Sequence, residues 1–475
     1  MRYTLPPVRP LLWVILALTF AIRVGLAWLV PSIHQADEIY QVAEQANRAV
    51  NGFGIESWEF QTAARGAFFA VLVEPIYRLH LSPAASQILT GALFSLLSLI
   101  PIGVAFAWTR RIHGEAAGLL AALLTATWFE LIYFGPKPTA DAVGGYLLIG
   151  GLYFARMGVT KRDAALAGFL LLVALGARMQ IAPSIAVALL VALSVHRHER
   201  FAALAAGGAA GVALVGVMEW AWWGVPFRGH WGYLQNEFVR HVSSYFRNEP
   251  ITFYAKTYSL IYGGALPVIA FLAFTGARRA AAALLVAAAV LVPFHLFGHK
   301  EYRFLLSATP LLVFLVSLGT VDLMVRFGGG VKIGTAMVVV TGWLVAMFAM
   351  AWSDSYRANW LQDRNHVLAF RAIGAEPDAC GIALVGIRWY HTPGYSGLGR
   401  DVPMYESGRD EVEMARLAPA ANYVLTGPKS PEPPAPYVRW KDYTRPVEFL
   451  YRRPGGCVRD EHSIVRPSGV PGVVH

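Results

Sequence analysis

The chain has 475 residues, of which 56% are hydrophobic and 15% are charged. Because a soluble globular protein carries about 25% charged residues, this composition excludes an ordinary soluble protein and indicates a multi-pass membrane protein. The formal net charge is +10, but the basic residues lie in small groups between apolar runs, which argues against nucleic acid as a partner.

About eleven apolar runs predict a polytopic α-helical membrane domain over residues 1–352. Roughly 20 apolar residues are needed for a helix to cross a bilayer. The candidate spans are 11–30, 86–108, 116–134, 141–157, 164–178, 181–195, 202–223, 255–276, 280–297, 303–322 and 333–352. The stretch 66–80 is short and contains Glu74, Pro75 and Arg78, so we expect an interfacial or re-entrant helix there instead of a span.

Basic residues mark every second connection between these spans. In chain order the groups are Arg2 with Arg9, Arg110-Arg111, Lys161-Arg162, Arg197 with Arg200, Arg278-Arg279, and Arg326 with Lys332. Since Lys and Arg accumulate in cytoplasmic loops, we expect a cytoplasmic N-terminus and a first span that is retained as an anchor. The segments that then face outward are 31–85, 135–140, 224–254, 298–302 and 353–475.

The first outward segment places two adjacent carboxylates, Asp37 and Glu38, just after the first span. Acidic residues at a membrane face are costly to desolvate and are uncommon away from functional sites. We therefore take Asp37 as the candidate catalytic base and Glu38 as the neighbour that orients it or the loop. Residues 39–50 have helical apolar spacing, which predicts an amphipathic helix on the membrane surface. The carboxylates could instead merely cap that helix.

Two further outward positions carry charge beside apolar spans. Lys137 could snorkel or bind phosphate, whereas Asp141, a few residues later, is better explained as a cap of the next helix. Arg178 ends a span on the same side. An arginine there breaks the positive-inside pattern and indicates anion binding.

The loop 224–254 and the turn 298–303 combine basic and aromatic residues. In the loop, Arg240 and Arg247 are candidates for holding a lipid-linked phosphate, although aromatic residues also suit a merely interfacial loop. The turn contains His299, Lys300, Glu301 and Arg303. Positive groups in a poorly hydrated site would stabilise a departing phosphate, and a solvated hairpin is the alternative. Glu219, near the end of an apolar span, requires a partner or an aqueous cavity.

Residues 353–475 read as a small soluble α/β domain on the outward side. Strands are predicted at 382–385 and 423–425, between turns rich in Pro and Gly. Cys380 and Cys457 both lie here, and an external compartment would permit a disulfide; two isolated thiols are the alternative. The chain shows no nucleotide, metal or nucleophile motif, so we expect no cofactor apart from a donor that is itself a lipid.

Taken in chain order, five strings resemble motifs of the family 22 glycosyltransferases of the GT-C superfamily. These are the polyprenyl-phosphate-mannose-dependent mannosyltransferases of GPI-anchor and N-glycan assembly. The strings are His34 to Gln41 (similar to H-P-D-E-x-x-Q), Asn248 to Tyr254, Gly264 to Pro267, His299 to Phe304 (H-K-E-[FY]-R-F) and His391 to Ser396 (H-S-T-P-[FY]-Y-S). One departure is that two residues, not one, separate His34 from Asp37.

The resemblance implies a GT-C fold and an inverting hexosyltransferase. The sugar, mannose by the resemblance, would move from a polyprenyl-phosphate donor to a glycan or glycolipid acceptor on the extracytoplasmic side of a membrane, which we expect to be a bacterial inner membrane. Because the leaving polyprenyl phosphate is already a stable anion, one carboxylate suffices as base, unlike the acid/base pair of a glycosidase.

Residue roles combine these matches with the charged positions described above. Asp37 and Glu38 are the catalytic pair, and the cations His299, Lys300, Arg303, Arg240 and Arg247 would bind the donor phosphate. Residues that would support the acceptor or the loops are His34, Trp58, Arg65, Lys137, Arg178 and Glu301. Transfer of another sugar to a cell-envelope lipid, a lipid transporter and a membrane-anchored binding protein are the alternative functions. A transporter would be favoured by internal repeats, which the sequence lacks.

Overall fold

The computed structural model describes residues 8–195, 198–245, 248–444 and 446–466. The chain divides into two compact units. The helical unit comprises Met1–Gly25 and Gly91–Arg357, and the sheet unit comprises Leu26–Thr90 and Ala358–His475. The division predicted near residue 352 lies close to the boundary after Arg357, whereas the grouping of residues 26–90 with the C-terminal part was not predicted.

The α-helices account for most of the helical unit. Their bounds are Ile100–His113, Glu115–Ala126, Phe129–Phe134, Ala140–Met157, Lys161–Ala177, Ala182–Val195, Phe201–Trp223, Arg228–Leu234, Phe253–Tyr262, Leu266–Ala277, Ala281–Leu296, Thr309–Gly328 and Ile333–Ala351. Three more helices, Val8–Leu29, Pro83–Leu97 and Asp354–Leu361, run across a boundary between the units. Residues Tyr302–Ser307 form a 3₁₀ turn.

Among the described residues, six helices are long and apolar enough to cross a membrane. They are Pro10–Leu29, Pro83–His113, His198–Trp223, Phe253–Ala277, Thr309–Gly328 and Ile333–Ala351, and each coincides with a predicted span. The other five predicted spans also contain helices, but shorter or less apolar ones, so their crossing stays a prediction. The predicted span 303–322 begins too early, because the 3₁₀ turn occupies its first residues.

Glycines let two helix pairs of this unit approach closely. A Cβ at Gly168 would lie 2.1 Å from the Leu204 carbonyl oxygen, and one at Gly207 would lie 1.9 Å from that of Ala165. A Cβ at Gly319 would likewise lie 1.9 Å from the Leu272 carbonyl oxygen. Small residues at helix contacts are the usual means of association where lipid removes the hydrophobic driving force.

The sheet unit contains a five-stranded sheet, whose strands are β1 Ile382–Val385, β2 Met404–Ser407, β3 Tyr423–Thr426, β4 Val438–Thr444 and β5 Val447–Arg452. Their order across the sheet is β2-β1-β3-β5-β4. Strand β1 pairs in parallel with β2 and β3, and β5 is antiparallel to β3 and β4. Both predicted strands are confirmed as the buried centre of the sheet. Cys380 and Cys457 are joined by a disulfide.

Both parts of the unit also contain helices. Their bounds are Ile39–Ala43 (a π-helix), Glu44–Asn51, Trp58–Gln61, Phe68–Tyr77, Arg364–Gly374, Gly394–Leu398 and Glu411–Leu417. Tyr40 and Ile55 share one hydrophobic core with Phe370 and with strand β1. The short helix predicted within 66–80 is Phe68–Tyr77.

The helix that follows Asp37 is buried in this core. Its polar residues Gln41, Glu44, Gln45 and Asn47 are at most 7% exposed, so the predicted amphipathic helix lying on a membrane surface was wrong. Helical spacing alone could not show that the polar face would find partners: Gln45 Nε2 donates to the carbonyls of Tyr40 and Ile55.

Candidate active site

Asp37 lies at the start of the buried helix in the sheet unit, as predicted. Its side chain is 25% exposed, and Oδ2 lies 3.8 Å from Arg65 Nη2. The chain just before it is held by Gln362, whose Nε2 donates to the His34 carbonyl at 2.9 Å and whose carbonyl accepts from Ile33 N. The carboxylate of Asp37 is thus positioned and open to solvent, which a base for an incoming hydroxyl requires.

Glu38 is oriented differently from its neighbour. It is 3% exposed, and Oε1 accepts a hydrogen bond from the backbone N–H of His34 at 3.2 Å. This bond closes the loop that carries Asp37, in keeping with the orienting role predicted for Glu38.

Glu59 is a further carboxylate near Asp37 that the sequence reasoning missed. It follows Trp58, the first residue of helix Trp58–Gln61, and accepts from Gln41 Nε2 at 2.9 Å. Burial and the negative charge of Asp37 raise the pKa of Glu59, and the Arg65 guanidinium opposes them. The signal available was the position of Glu59 directly after Trp58, which was itself predicted only as a loop-supporting residue.

Glu44 connects the Asp37 helix to the string His391–Ser396. Its buried carboxylate accepts hydrogen bonds from the N–H groups of Ile55, Tyr395 and Ser396 at 2.8, 3.1 and 2.8 Å. Burial raises the pKa of Glu44, and these three donors counteract that rise. A string that resembles a family motif therefore supports the segment that carries the candidate base.

In the helical unit, residues 248–249 are hydrogen-bonded to the turn 298–303. Glu249 N donates to the Gly298 carbonyl at 2.9 Å, and Asn248 forms an antiparallel bridge with His299. A Cβ at Gly298 would lie 2.5 Å from Asn248 Oδ1. A side chain at this position would have to displace the Asn248 amide.

Glu301 organises the cations of this turn. Its carboxylate lies 3.0 Å from His299 Nε2 and accepts from Arg303 Nε at 2.7 Å. Although burial alone would raise the pKa of Glu301, the Arg303 guanidinium and His299 hold it well below its usual range. Lys300 is 6% exposed, and its ammonium donates to the carbonyls of Glu249 and Phe297. The turn is a folded ion-pair cluster and not a solvated hairpin.

Asp141 and Arg178 form a buried ion pair with Nη2 and Oδ1 2.8 Å apart. The expectation that Asp141 caps the next helix was wrong, because Thr139 occupies the N-cap and the Asp141 carboxylate pairs with Arg178 instead. The Arg178 guanidinium also lies over the Phe304 ring, 5.2 Å from its centroid. Lys137 is buried, with Nζ 4.8 Å from the centre of the Tyr133 ring.

A cavity of about 1220 Å³ lies within the helical unit. Its walls are mainly apolar, and its polar lining includes Arg178, His299, His230, His241 and Asn248. Of the residues predicted to bind phosphate, His299 lines it, whereas Lys300, Arg303 and Arg240 are not among its described lining residues. Arg247 lies outside the described residues.

Two more carboxylates of the helical unit are buried with partners. Glu219 Oε2 accepts from Gly229 N at 2.8 Å and lies 3.7 Å from His230 Nδ1. Glu219 therefore has partners of the kind that its place in an apolar span led us to expect. Glu130 accepts from Trp128 Nε1 at 2.9 Å and from the hydroxyls of Tyr262 and Tyr302. Sequence reasoning missed Glu130 because it lies inside an apolar run. Among the described residues, no group of three or more His, Cys, Asp or Glu side chains could hold a metal ion.

Comparison with known proteins gives these residues a family context. The model of the Alg9-like mannosyltransferase family matches residues 13–398. The chain belongs to this family. Membership makes the protein a glycosyltransferase and confirms the resemblance read from its motifs. No curated protein matches the chain significantly.

The two solved structures of ArnT confirm the GT-C fold. The structure of ArnT from Cupriavidus metallidurans bound to undecaprenyl phosphate is 14% identical, with a TM-score of 0.58, and the match covers 92% of this chain and 97% of that one. The apo state of the same protein is 13% identical, with the same coverage and TM-score. The Archaeoglobus fulgidus oligosaccharyltransferase, in complex with Zn and sulfate, is 12% identical over 87% of this chain and 67% of its own, with a TM-score of 0.47.

Proposed function

We propose that this family member transfers mannose, with inversion, from a polyprenyl-phosphate donor to a glycan or glycolipid acceptor. The acceptor hydroxyl gives its proton to Asp37, its oxygen bonds to the anomeric carbon, and the bond from that carbon to the phosphate oxygen breaks. The electron pair leaves with polyprenyl phosphate. A positioned base contributes roughly 10²–10⁴-fold to such a step.

The observation that carries the proposal is the cavity of the helical unit. Its mainly apolar walls suit a polyprenyl chain, and its polar lining includes Arg178 and His299. Arginine is well matched to phosphate oxygens, and charge-assisted hydrogen bonds are the strong class. The related ArnT structure was solved with undecaprenyl phosphate bound, which supports a lipid of this class.

The turn 298–303 would act mainly by holding His299 in place. Lys300 already donates to two carbonyls, and Arg303 Nε donates to Glu301. Lys300 and Arg303 are both buried. Because water screens their charge only weakly there, they would still stabilise the negative charge that grows on the leaving phosphate. Arg240 is exposed, and its predicted role in phosphate binding is retained as a proposal.

The positive-inside pattern supports a reaction on the extracytoplasmic side of the membrane, which we propose to be a bacterial inner membrane. Reporter fusions at Gly114 and Asp460 test that topology, and they should report opposite sides, with Gly114 inside. Readings on the same side would contradict it.

Activity is tested with purified protein and polyprenyl phosphate carrying labelled mannose. Transfer of label to a membrane glycolipid fraction, with release of polyprenyl phosphate, is the expected result. Donors with glucose or arabinose in place of mannose, assayed in parallel, test the sugar. Faster transfer from one of these would overturn the choice of mannose while keeping the enzyme class.

A further inference from the structure

A histidine pair and two carboxylates form a second polar cluster in the sheet unit. Asp363 Oδ2 lies 2.9 Å from His391 Nδ1, and Asp363 Oδ1 lies 3.4 Å from His366 Nδ1. On its other side, His366 Nε2 lies 3.1 Å from Glu448 Oε1. The proposed reaction leaves this cluster unused.

The exposure of the side chains in this cluster increases from the interior to the surface. The side chains of Glu448, His366, Asp363 and His391 are 3%, 7%, 13% and 45% exposed. Because an ionised carboxylate can only accept, Nδ1 of His391 carries the hydrogen in this contact. Nε2 of His391 makes no hydrogen bond to another described residue, so it is the atom of the cluster available to a ligand.

The backbone of Asp363 is strained, and its side chain does not cap the helix that it precedes. Asp363 has φ +51°, a left-handed conformation that is uncommon in residues other than glycine. It occupies the N-cap of helix Arg364–Gly374, where an aspartate usually accepts from the first turn, yet its side chain makes no capping bond. The carboxylate faces the two histidines instead. Residues held in sparsely populated backbone regions concentrate at functional sites.

Asp363 and His391 both lie close in sequence to residues that are hydrogen-bonded to the segment that carries Asp37. Gln362, next to Asp363, exchanges hydrogen bonds with Ile33 and His34. On the two sides of His391, the Tyr40 hydroxyl donates to the Trp389 carbonyl at 2.7 Å and is hydrogen-bonded to Thr392 Oγ1 at 3.0 Å. His34 and Tyr40 each lie three residues from Asp37. Since three residues of extended chain span about 11 Å at most, both lie within that distance of Asp37.

We propose that His391 is an acceptor-binding residue, with Nε2 contacting an acceptor-sugar hydroxyl beside the one that Asp37 deprotonates. Asp363 is the positioning residue that fixes the imidazole. Tyr390 supports a sugar as the ligand, because its exposed ring lies 4.9 Å from that of His391 and offers an apolar face to a pyranose. This inference rests on the proposed function and adds to it a residue that binds the acceptor.

The test uses full-length protein, polyprenyl-phosphate-mannose at saturation and a varied concentration of membrane glycolipid fraction extracted from the source cells. His391→Asn removes the group at the Nε2 position, whereas His391→Gln places an amide near it. Loss of one substrate hydrogen bond should raise the half-saturating acceptor concentration about tenfold in the Asn variant. The Gln variant should recover most of that loss, and the KM for donor should not change in either.

Asp363→Asn should raise the same acceptor constant by a smaller factor, because the imidazole remains and the neutral amide oxygen holds its Nδ1–H more weakly than the carboxylate does. His462→Ala removes an exposed histidine of the same unit and is the matched control, expected to leave both constants unchanged. Wild-type acceptor dependence in His391→Asn, or a change confined to the KM for donor, would overturn the assignment. Absence of transfer by the wild-type protein would instead overturn the proposed function.

Discussion

Glu44 Oε2 accepts a hydrogen bond from Ser396 N at 2.8 Å, across 352 residues of sequence. The same carboxylate also binds the N–H groups of Ile55 and Tyr395. Two strings that look like separate motifs in the sequence are therefore parts of one structure in the sheet unit. The string His391–Ser396 braces the helix that begins at Asp37.

Glu44→Gln is expected to destabilise the sheet unit. The amide keeps the size of the side chain, but its NH₂ group faces backbone donors that then lose their acceptor. A buried unsatisfied group costs about 1–3 kcal/mol, so thermal unfolding of the purified protein should occur at a lower temperature. Glu56→Gln, at a side chain that is 42% exposed, is the control and should unfold like wild type. Equal unfolding temperatures in all three proteins would contradict the bracing role.

His366→Gln is expected to change how stability depends on pH. Asp363 and Glu448 outweigh burial and raise the pKa of His366 to about 10, whereas an unfolded histidine titrates near 6.5. The imidazolium therefore contributes its full stabilisation below about pH 6.5 and loses it as pH rises towards 10. Denaturant unfolding at pH 6, 8 and 10 should show the difference between wild type and variant shrinking with pH. A constant difference would contradict a charged His366.

The cavity is tested by the binding of undecaprenyl phosphate without any sugar transfer. His299→Ala is expected to weaken binding about tenfold, since one charge-assisted hydrogen bond to the phosphate is lost. Arg178→Lys should also weaken it, because the ammonium cannot form a fork with phosphate while still balancing Asp141. Arg240→Ala, measured alongside, tests the remaining sequence-based assignment.

Lys256 is the matched control for these cavity variants. It is an exposed basic residue of the helical unit that is not among the described residues lining the cavity, and Lys256→Ala should bind like wild type. Equal losses in the Lys256 and His299 variants would indicate non-specific attraction of an anionic lipid. No loss in either His299→Ala or Arg178→Lys would exclude the cavity as the phosphate site.

The sequence predicted the parts of this fold that depend on local pattern. Apolar runs such as 202–223 identify helices because a bilayer requires that length, and the apolar run 382–385 predicts a central strand. Asp37 stood out because a carboxylate beside a span is unusual. Each of these signals is contained in a few consecutive residues.

Residues whose roles depend on distant partners could not be predicted. Glu130 is bound by Tyr262 and Tyr302, 132 and 172 residues away, and in sequence it is only an interruption of an apolar run. Glu44 looks like a solvated residue of an amphipathic helix until its three backbone donors are seen. Lys300 looks like a free cation, yet its ammonium is bonded to carbonyls of Glu249 and Phe297. Sequence pattern reports a residue's type and neighbours, not what folding places against it.

Asp37→Asn is the substitution that bears on the central proposal, the assignment of the catalytic base. The amide keeps the size of the side chain but cannot take the acceptor's proton, so transfer should fall by roughly 10²–10⁴-fold. Undecaprenyl phosphate binding and the unfolding temperature should stay at wild-type values. Glu38→Gln, which can keep its carbonyl as an acceptor for His34 N, is the paired variant and should lose much less.

The decisive measurement is a single turnover of polyprenyl-phosphate-mannose by wild-type and Asp37→Asn protein at saturating acceptor. A rate lower by at least about 100-fold in the variant, with donor binding retained, is the expected result. A variant that transfers mannose at close to the wild-type rate would contradict Asp37 as the base.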